Sequence, residues 1–448
     1  MPGTPLSSRV LEHEARALLT RLARVEPFAL HMPMVPAAAL SPAAQTAIEH
    51  YLARGRRELR ARTQEYLRWL TGGRGQQAPP AEAQRRFTFL KLRFNAVLSQ
   101  FHIFADVVSQ RGEHETGVWL SGLDAVAADA LLLPNCRFEA PPVVCYLDHS
   151  PGAAIRRART RLPGGGENPV AIVRVPRERM IGSGLASSLV HEVGHQGSVL
   201  LDLIGSLRPA LREMQRTRPR EEQAWSLFER WISEILADFW SVAKLGITAT
   251  MGLMGVVSLP RAFVFRLSLE DPHPVPWIRV KLSCAMGRAL YPHPQWDRLG
   301  SLWESFYPRG GLDDERQDLF DLIEESMPDF VSLLINHQPA RLGGQSLKEA
   351  MSVDERRPAR LTALHRQWLE SPRQMLKAAP ALAFAVIGQA RADGNTTPEE
   401  ESKTLSYLLT HWALQTSAKT SAACAATLAA RSCEARQWTA VEASPNVH

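Results

Sequence analysis

The stretch that decides the fold, Gly184–Leu203, reads GLASSLVHEVGHQGSVLLDL. Its apolar residues recur at helical spacing, which predicts a largely buried helix. Residues 191–195 of this helix form the pentapeptide HEVGH. Positions i and i+4 of a helix lie on one face, so we expect His191 and His195 to reach one Zn²⁺ together. Glu192 stands beside them, suited to hold a metal-bound water and to accept its proton. The alternative is an ordinary helix with surface histidines.

A second segment offers a third ligand, which a catalytic zinc needs. Residues 231–240 read WISEILADFW, where Glu234 and Asp238 are again four positions apart on an otherwise apolar helix. Two carboxylates on such a face are costly to bury without partners. We expect Glu234 to bind the zinc and Asp238 to accept the outer ring N–H of a ligand histidine, His191 in the first place. The alternative is a solvated acidic stripe.

HEVGH followed by a helix with ExxAD resembles the gluzincin metallopeptidases. The resemblance is closest to the group that contains the CAAX prenyl endopeptidase and the bacterial heat-shock membrane protease. It implies a zinc endopeptidase in which His191, His195 and Glu234 bind the metal. It also implies that Glu192 is the general base and that Asp238 is the carboxylate behind a ligand histidine.

Members of that group carry a His-Pro segment after the third ligand, followed by an arginine. Residues 271–279, DPHPVPWIR, match this order. The resemblance implies that His273 lies near the oxyanion of the transition state. Arg279 and His293 are the alternatives, since residues 291–294, YPHP, repeat the His-Pro pair.

The resemblance also implies an edge strand that lies beside the zinc and pairs with the extended substrate. Residues 169–176, PVAIVRVP, are rich in β-formers and bounded by prolines, as suits an edge strand. We therefore expect Ile172 and Val173 to bind the substrate by β-augmentation. Arg279 is a further expected substrate-binding residue. A plain structural strand is the alternative.

The composition indicates which cellular compartment and which partners to expect. The chain has 448 residues, of which 45% are hydrophobic and 22% charged, the values of a soluble globular protein. A net charge of +6 spread over this length is weak support for nucleic acid, and none is expected as a partner. The five cysteines are odd in number and form no CxxC pair, which favours reduced thiols and a cytoplasmic location. The N-terminus carries no signal-peptide pattern.

We predict a predominantly helical α+β fold, with a zincin-like catalytic core and a small sheet between helical flanks. The expected regions are an N-terminal helical region (1–135), the metallopeptidase core (136–300), a C-terminal helical region (301–415) and a low-complexity tail (416–448). The longest charge-free apolar stretch, residues 245–259, is shorter than the about 20 residues that span a bilayer. We expect it to be a buried helix or helix pair; membrane association through it is the alternative.

The function expected from these patterns is a zinc-dependent metalloendopeptidase that hydrolyses peptide bonds through a zinc-bound water activated by Glu192. Its cofactor is Zn²⁺ and its partner is a peptide or protein substrate. The alternative is a non-catalytic, zinc-stabilised helical scaffold that binds a protein on its helical flanks.

Overall fold

A computed structural model of the chain describes residues 6–25, 33–134, 138–149, 152–162, 166–177, 182–268, 271–351 and 353–442, with the backbone alone for residues 114 and 427–442. The strands are β1 Val143–Asp148, β2 Ala154–Arg156 and β3 Ala171–Pro176. The α-helices are α1 Leu6–Arg24, α2 Pro42–Thr71, α3 Gly73–Gln76, α4 Pro80–Ser109, α5 His114–Leu131, α6 Gly184–Leu200, α7 Leu203–Thr217, α8 Glu222–Leu245, α9 Ile247–Val257, α10 Arg261–Val264, α11 Pro276–Leu290, α12 Gln295–Phe306, α13 Asp314–Asn336, α14 Leu347–Ala350, α15 Pro358–Glu370, α16 Pro372–Met375, α17 Pro380–Ala392 and α18 Pro398–Glu442.

The predicted fold class is confirmed: the protein is a predominantly helical α+β protein with one small mixed sheet. Within the described residues this sheet has three strands in the order β1-β3-β2. Strand β3 pairs in parallel with β1, Val144 opposite Ile172, and antiparallel with β2, Ile155 opposite Val173. The strands have only three to six residues each. A sheet of such short strands needs packing against helices to be stable.

The prediction that the 169–176 segment is an edge strand is wrong. Strand β3 is the central strand, and Ile172 has a pairing partner on both sides, Val144 on β1 and Arg156 on β2. The prolines do not prevent this arrangement, because Pro169 precedes the strand and Pro176 is its last residue. The strand at the edge of the sheet next to β3 is β2, which is only three residues long.

The chain divides into two compact units. The first comprises Met1–Ser121, Arg159–Val170 and Trp412–His448, and the second comprises Gly122–Ala158 and Ala171–His411. In the first unit, α1, α2 and α4 pack on one another, and Phe94 and Phe104 of α4 are buried. The division into four regions stays a prediction; the expected tail begins inside α18.

The second unit is built around α6, which packs against α8 and α9 and also contacts β2 and β3. The helices α6 and α8 approach closely because Gly194 and Gly197 face Trp240. A Cβ on Gly194 would lie 2.8 Å from Trp240 Cβ and 2.9 Å from Ala237 Cα, which leaves no space for a side chain. The segment around the pentapeptide is therefore a buried helix, as its periodicity predicts.

Residues 245–259 form the end of α8 and all of α9. Gly246 joins the two helices with φ 60°, a left-handed conformation that glycine adopts without strain. Helix α9 has 11 residues and packs on α6, so this stretch is a buried helix as expected. Among the helices in the described part of the chain, none has both the length and the apolar character needed to cross a membrane.

Candidate metal centre

Three side chains from two helices converge at the contact of α6 and α8. One ligand atom from each of His191, His195 and Glu234 lies within 4.8 Å of the other two. Nε2 of His191 is 3.3 Å from Oε2 of Glu234, and Nε2 of His195 is 3.4 Å from Oε1. The two imidazole rings are 4.9 Å apart between centroids, as expected of residues one helical turn apart.

A polar side chain lies next to Nδ1 of each histidine and orients the ring. Nδ1 of His191 is 2.8 Å from Oδ1 of Asp238, and Nδ1 of His195 is 3.4 Å from Oγ of Ser233. When Asp238 accepts the Nδ1–H of His191, the Nε2 atom of that ring carries a lone pair toward Glu234. This is the tautomer that binds a metal through Nε2.

Asp238 is itself held by Arg279 from α11. The Nε of Arg279 donates to Oδ2 of Asp238 at 2.6 Å, and Nη2 donates to Oδ1 at 2.9 Å. Nη2 is also 3.8 Å from Oε2 of Glu234. Both side chains of the Arg279–Asp238 pair are at most 11% exposed, so the bidentate pair is shielded from water.

The structure brings His273 to the same cluster. Its Nε2 is 3.2 Å from Oε2 of Glu234, while its Nδ1 is 2.7 Å from Oδ1 of Asp271. The His273 side chain is 47% exposed, so it stands at the solvent side of the cluster. His293 lies elsewhere, immediately before α12, where its Nδ1 accepts a hydrogen bond from the backbone N–H of Gln295.

Burial and charge act in opposite directions on the pKa values of the cluster. Burial alone would raise the pKa of Glu234, but the neighbouring His191 and His195 outweigh it and hold this pKa well below its ordinary value. Burial would likewise raise the pKa of Asp238, but Arg279 and His191 lower it to about 2. Burial would lower the pKa of His191, yet Asp238 and Glu234 raise it to about 9. Both carboxylates are thus ionised at neutral pH and His191 is protonated, so a metal ion that binds Nε2 of His191 would displace a proton from that ring.

The donor set fits a zinc ion. Two imidazole nitrogens and one carboxylate oxygen are the ligands of many catalytic zinc sites, and bonds of about 2.0–2.2 Å in a tetrahedron separate ligand atoms by about 3.4 Å. The separations of 3.3 Å and 3.4 Å between the histidines and Glu234 match that value. In addition, Oε2 of Glu234 is buried and makes no hydrogen bond among the described residues, although Nε2 of His273 and Nε2 of His191 lie 3.2 Å and 3.3 Å from it. A bound cation would satisfy this oxygen.

Glu192 faces a cavity of about 190 Å³ that is also lined by His191, Asp238, His273 and Arg279. Burial raises the pKa of the Glu192 carboxyl above its ordinary value. A carboxylate with a raised pKa is a better proton acceptor than a solvated one, which suits a general base.

The expected substrate-binding residues Ile172 and Val173 do not line this cavity; they are 2% and 0% exposed inside the sheet. Gly152 and Ala153, which directly precede β2, line it instead. Sequence reasoning missed β2 because a strand of three residues has almost no periodic signal.

Sequence reasoning also missed several small polar residues of the site. In the sequence, serines interrupt the apolar faces of the helices around the cavity, and this pattern could have indicated polar residues at the site. The ones that line the cavity are Ser187, Ser188, Ser241 and Ser283.

Comparison with known proteins adds no relative: no family model, no curated protein and no solved structure matches this chain.

Proposed function

We propose that this protein is a zinc-dependent endopeptidase of the gluzincin kind. The observation that carries the proposal is the convergence of His191, His195 and Glu234, with one ligand atom of each within 4.8 Å of the others, beside a cavity lined by Glu192. A metal cluster that serves stability alone needs no carboxylate aimed into an adjoining cavity. The position of Glu192 therefore favours hydrolysis over a zinc-stabilised scaffold.

Zinc, when bound by these three residues, supplies a Lewis acid that polarises a carbonyl and acidifies a water. Glu192 accepts a proton from the attacking water while the water oxygen forms a bond to the scissile carbonyl carbon. The same carboxyl then gives the proton to the amide nitrogen, so that the C–N bond breaks and the amine leaves. His273, at the solvent side of the cluster, hydrogen-bonds the developing oxyanion, an interaction worth about 2.7–4 kcal/mol in other hydrolases.

The substrate backbone is proposed to lie along β2. Among the described residues β2 is an edge strand of the sheet, next to β3, and an edge strand is the element that an extended peptide joins in β-augmentation. Gly152 and Ala153 lead from this edge into the cavity of Glu192. Peptides N-methylated near the cleaved bond should then lose at least tenfold in kcat/KM against their unmethylated counterparts; equal values would exclude pairing along β2.

The decisive experiment compares the zinc-loaded protein with its Glu192→Gln variant on a mixed peptide library. Wild type should cleave peptides in a chelator-sensitive manner, and Glu192→Gln should retain zinc while losing several orders of magnitude in kcat. Glu325→Gln on the exposed face of α13 is the matched control and should cleave as wild type does.

Two results would count against the proposal. Zinc-loaded wild type that cleaves no peptide would favour the scaffold instead. A Glu192→Gln variant as active as wild type would remove Glu192 from the role of base. The cytoplasmic location expected from the cysteines stays a prediction.

A further inference from the structure

Two long helices of the first unit, α2 and α4, run antiparallel and leave a groove between them. Glu58 of α2 pairs with Arg93 of α4, and further along, Trp69 of α2 lies against Arg86 of α4. Two clefts of about 330 Å³ and 370 Å³, both open to solvent, follow this contact, and Arg93 lines both. The α2–α4 groove is the surface lined by residues 51–69 of α2 and 86–100 of α4.

The larger cleft has an aromatic and aliphatic lining. Tyr66 and Leu90, which are 7% and 8% exposed, line it together with Trp69 and Phe89. Phe89 is 67% exposed, and Leu92, three residues further along α4, is 61% exposed. Positions i and i+3 of a helix are neighbours on one face, so α4 presents two large apolar side chains to water beside the cleft. Aromatic side chains together with arginine are typical of protein interfaces.

The charge excess of the protein lies on the same helices. Residues 42–109 contain eleven Arg and Lys and five Asp and Glu, an excess of six that equals the net charge of the whole chain. The remainder of the sequence is therefore balanced in charge. The excess is concentrated in one segment, and this segment forms the α2–α4 groove.

The arginines inside the clefts form ion pairs. Glu58 pairs with Arg62 at 3.1 Å and with Arg93 at 2.9 Å. Glu82 pairs with Arg86 at 2.9 Å. Three arginines thus share two glutamates, and one positive charge is left over.

Further charged residues line the clefts or lie on the exposed rims of the groove. Those without an ion pair among the described residues are Arg54, Arg57, Arg68 and Arg85 on the positive side, and Glu65 and Glu167 on the negative side. Arg85 stands four residues before Phe89 on α4, so a cation and an exposed aromatic ring share one helix face. The groove as a whole is cationic, which favours an acidic partner.

The surroundings of Trp69 favour a polypeptide over a nucleic acid. A base stacks on a free aromatic face. The guanidinium of Arg86 lies 4.2 Å from the centroid of the Trp69 ring, and the ring of Tyr66 packs 5.9 Å from it. Trp69 therefore offers its edge to a cleft, which suits a single inserted side chain, and not a platform for successive bases.

We propose that the α2–α4 groove binds an acidic segment of a partner protein, with an aromatic or long aliphatic side chain of that segment seated in the larger cleft. The inserted side chain packs on Trp69 and Phe89. Carboxylates of the segment pair with the rim arginines, Arg68 and Arg85 among them. This binding needs neither zinc nor turnover, so it does not depend on the proposed peptidase function.

The test measures the binding of labelled peptides to the full-length protein by fluorescence anisotropy. The probe is a short peptide of Asp and Glu residues around one central Trp. One comparison peptide has Ala in place of that Trp, and another has Lys in place of every acidic residue. The probe should bind at least tenfold more tightly than the Ala peptide, because the cleft holds the ring. The Lys peptide should not bind, and added salt should weaken the binding of the probe.

Phe89→Ala should weaken the binding of the probe at least tenfold. Phe306→Ala is the matched control, because Phe306 is 59% exposed on α12 in the second unit, and it should bind the probe as wild type does. Both substitutions remove an exposed ring. Thermal unfolding of each variant shows that it is folded.

The pair of charge reversals Arg68→Glu and Arg85→Glu should also lower the affinity at least tenfold and should reduce its dependence on salt. The control is the pair Arg266→Glu and Arg298→Glu, which reverses two exposed arginines of the second unit and should change neither quantity. The comparison separates local pairing in the groove from the net charge of the protein.

Three results would overturn the proposal. The first is equal affinity of wild type for the Trp and Ala peptides, a result that needs no variant. The second is unchanged binding of the probe by folded Phe89→Ala. The third is tighter binding of a single-stranded oligonucleotide or of phosphatidylserine vesicles than of the probe, lost in the Arg68→Glu and Arg85→Glu protein, which would assign the groove to a nucleic acid or a membrane surface.

Discussion

The guanidinium of Arg279 holds the carboxylate of Asp238 through two hydrogen bonds, 2.6 Å from Nε to Oδ2 and 2.9 Å from Nη2 to Oδ1. The same carboxylate lies 2.8 Å from Nδ1 of His191. Asp238 is therefore fixed from one side and orients a histidine on the other. The ring of His191 is thus positioned by two side chains, Asp238 of α8 and Arg279 of α11.

Replacement of Arg279 by methionine should destabilise the protein strongly. It leaves Asp238 as a buried carboxylate without its cation, and breaking a buried pair in this way costs about 3–5 kcal/mol. Urea unfolding without added zinc measures the free energy of unfolding. The control is Arg288→Met, whose partner is Asp297 in a pair more than half exposed, and it should cost at most about 1 kcal/mol. Similar losses in both variants would contradict the buried pair.

The Glu234→Gln variant should lose zinc. A neutral amide removes the charge that the ion neutralises, so we expect at least a tenfold weaker affinity. Elemental analysis after dialysis against a metal buffer measures the occupancy. Glu229→Gln on the same helix is the control, because Glu229 pairs with Arg208 and Arg212 rather than with the histidines. Equal zinc in all three proteins would reject Glu234 as a ligand.

A methyl group at Gly194 should separate the two helices that carry the ligands. The added Cβ would lie 2.8 Å from Trp240 Cβ and 3.0 Å from the carbonyl oxygen of Ala237, and overpacking of this kind costs about 1–3 kcal/mol. Gly194→Ala should therefore lower both stability and zinc affinity. Gly255→Ala is the matched control, because no atom lies within 4 Å of its new Cβ.

Gly255 is exposed on α9. Alanine at this position should instead raise the free energy of unfolding by about 0.5–1 kcal/mol, because alanine has a higher helix propensity than glycine. Thermal unfolding and zinc titration of both variants give the comparison. If Gly194→Ala behaves like Gly255→Ala, the close approach of α6 and α8 is not what positions the ligands.

The stability of the protein should depend on pH through Lys244. Burial, aided by the charge of Arg356, lowers the pKa of Lys244 to about 8, while its ordinary value is 10.5. Between these two pH values the unfolded chain binds the proton and the folded protein does not, so the free energy of unfolding rises with pH. Below pH 8 both states are protonated and the penalty for the buried charge is constant.

Comparison with Lys244→Met isolates this contribution, because the other ionisable groups are common to both proteins. From pH 7 to 9.5 wild type should gain about 2 kcal/mol of unfolding free energy relative to the variant, at about 1.36 kcal/mol per pH unit above pH 8. Denaturant unfolding at several pH values measures this. A difference that does not change with pH would show that Lys244 keeps its ordinary pKa in the folded protein.

The sequence by itself determined the local geometry of the cluster. A helical repeat of 3.6 residues places His191 over His195 and Glu234 over Asp238, whatever the rest of the chain does. The predominantly helical character also followed from local periodicity, and the buried helix within residues 245–259 followed from a charge-free apolar stretch, because each pattern lies within one continuous segment.

Only the tertiary structure decided which segments meet. It made β3 the central strand and gave the edge to β2, it brought His273 rather than His293 to Glu234, and it formed a serine-lined cavity from four helices. Each of these depends on pairing and packing between residues far apart in the chain. Such contacts produce no periodic pattern in the sequence of either segment, because they depend on how well two surfaces fit each other and not on the conformation of a single segment.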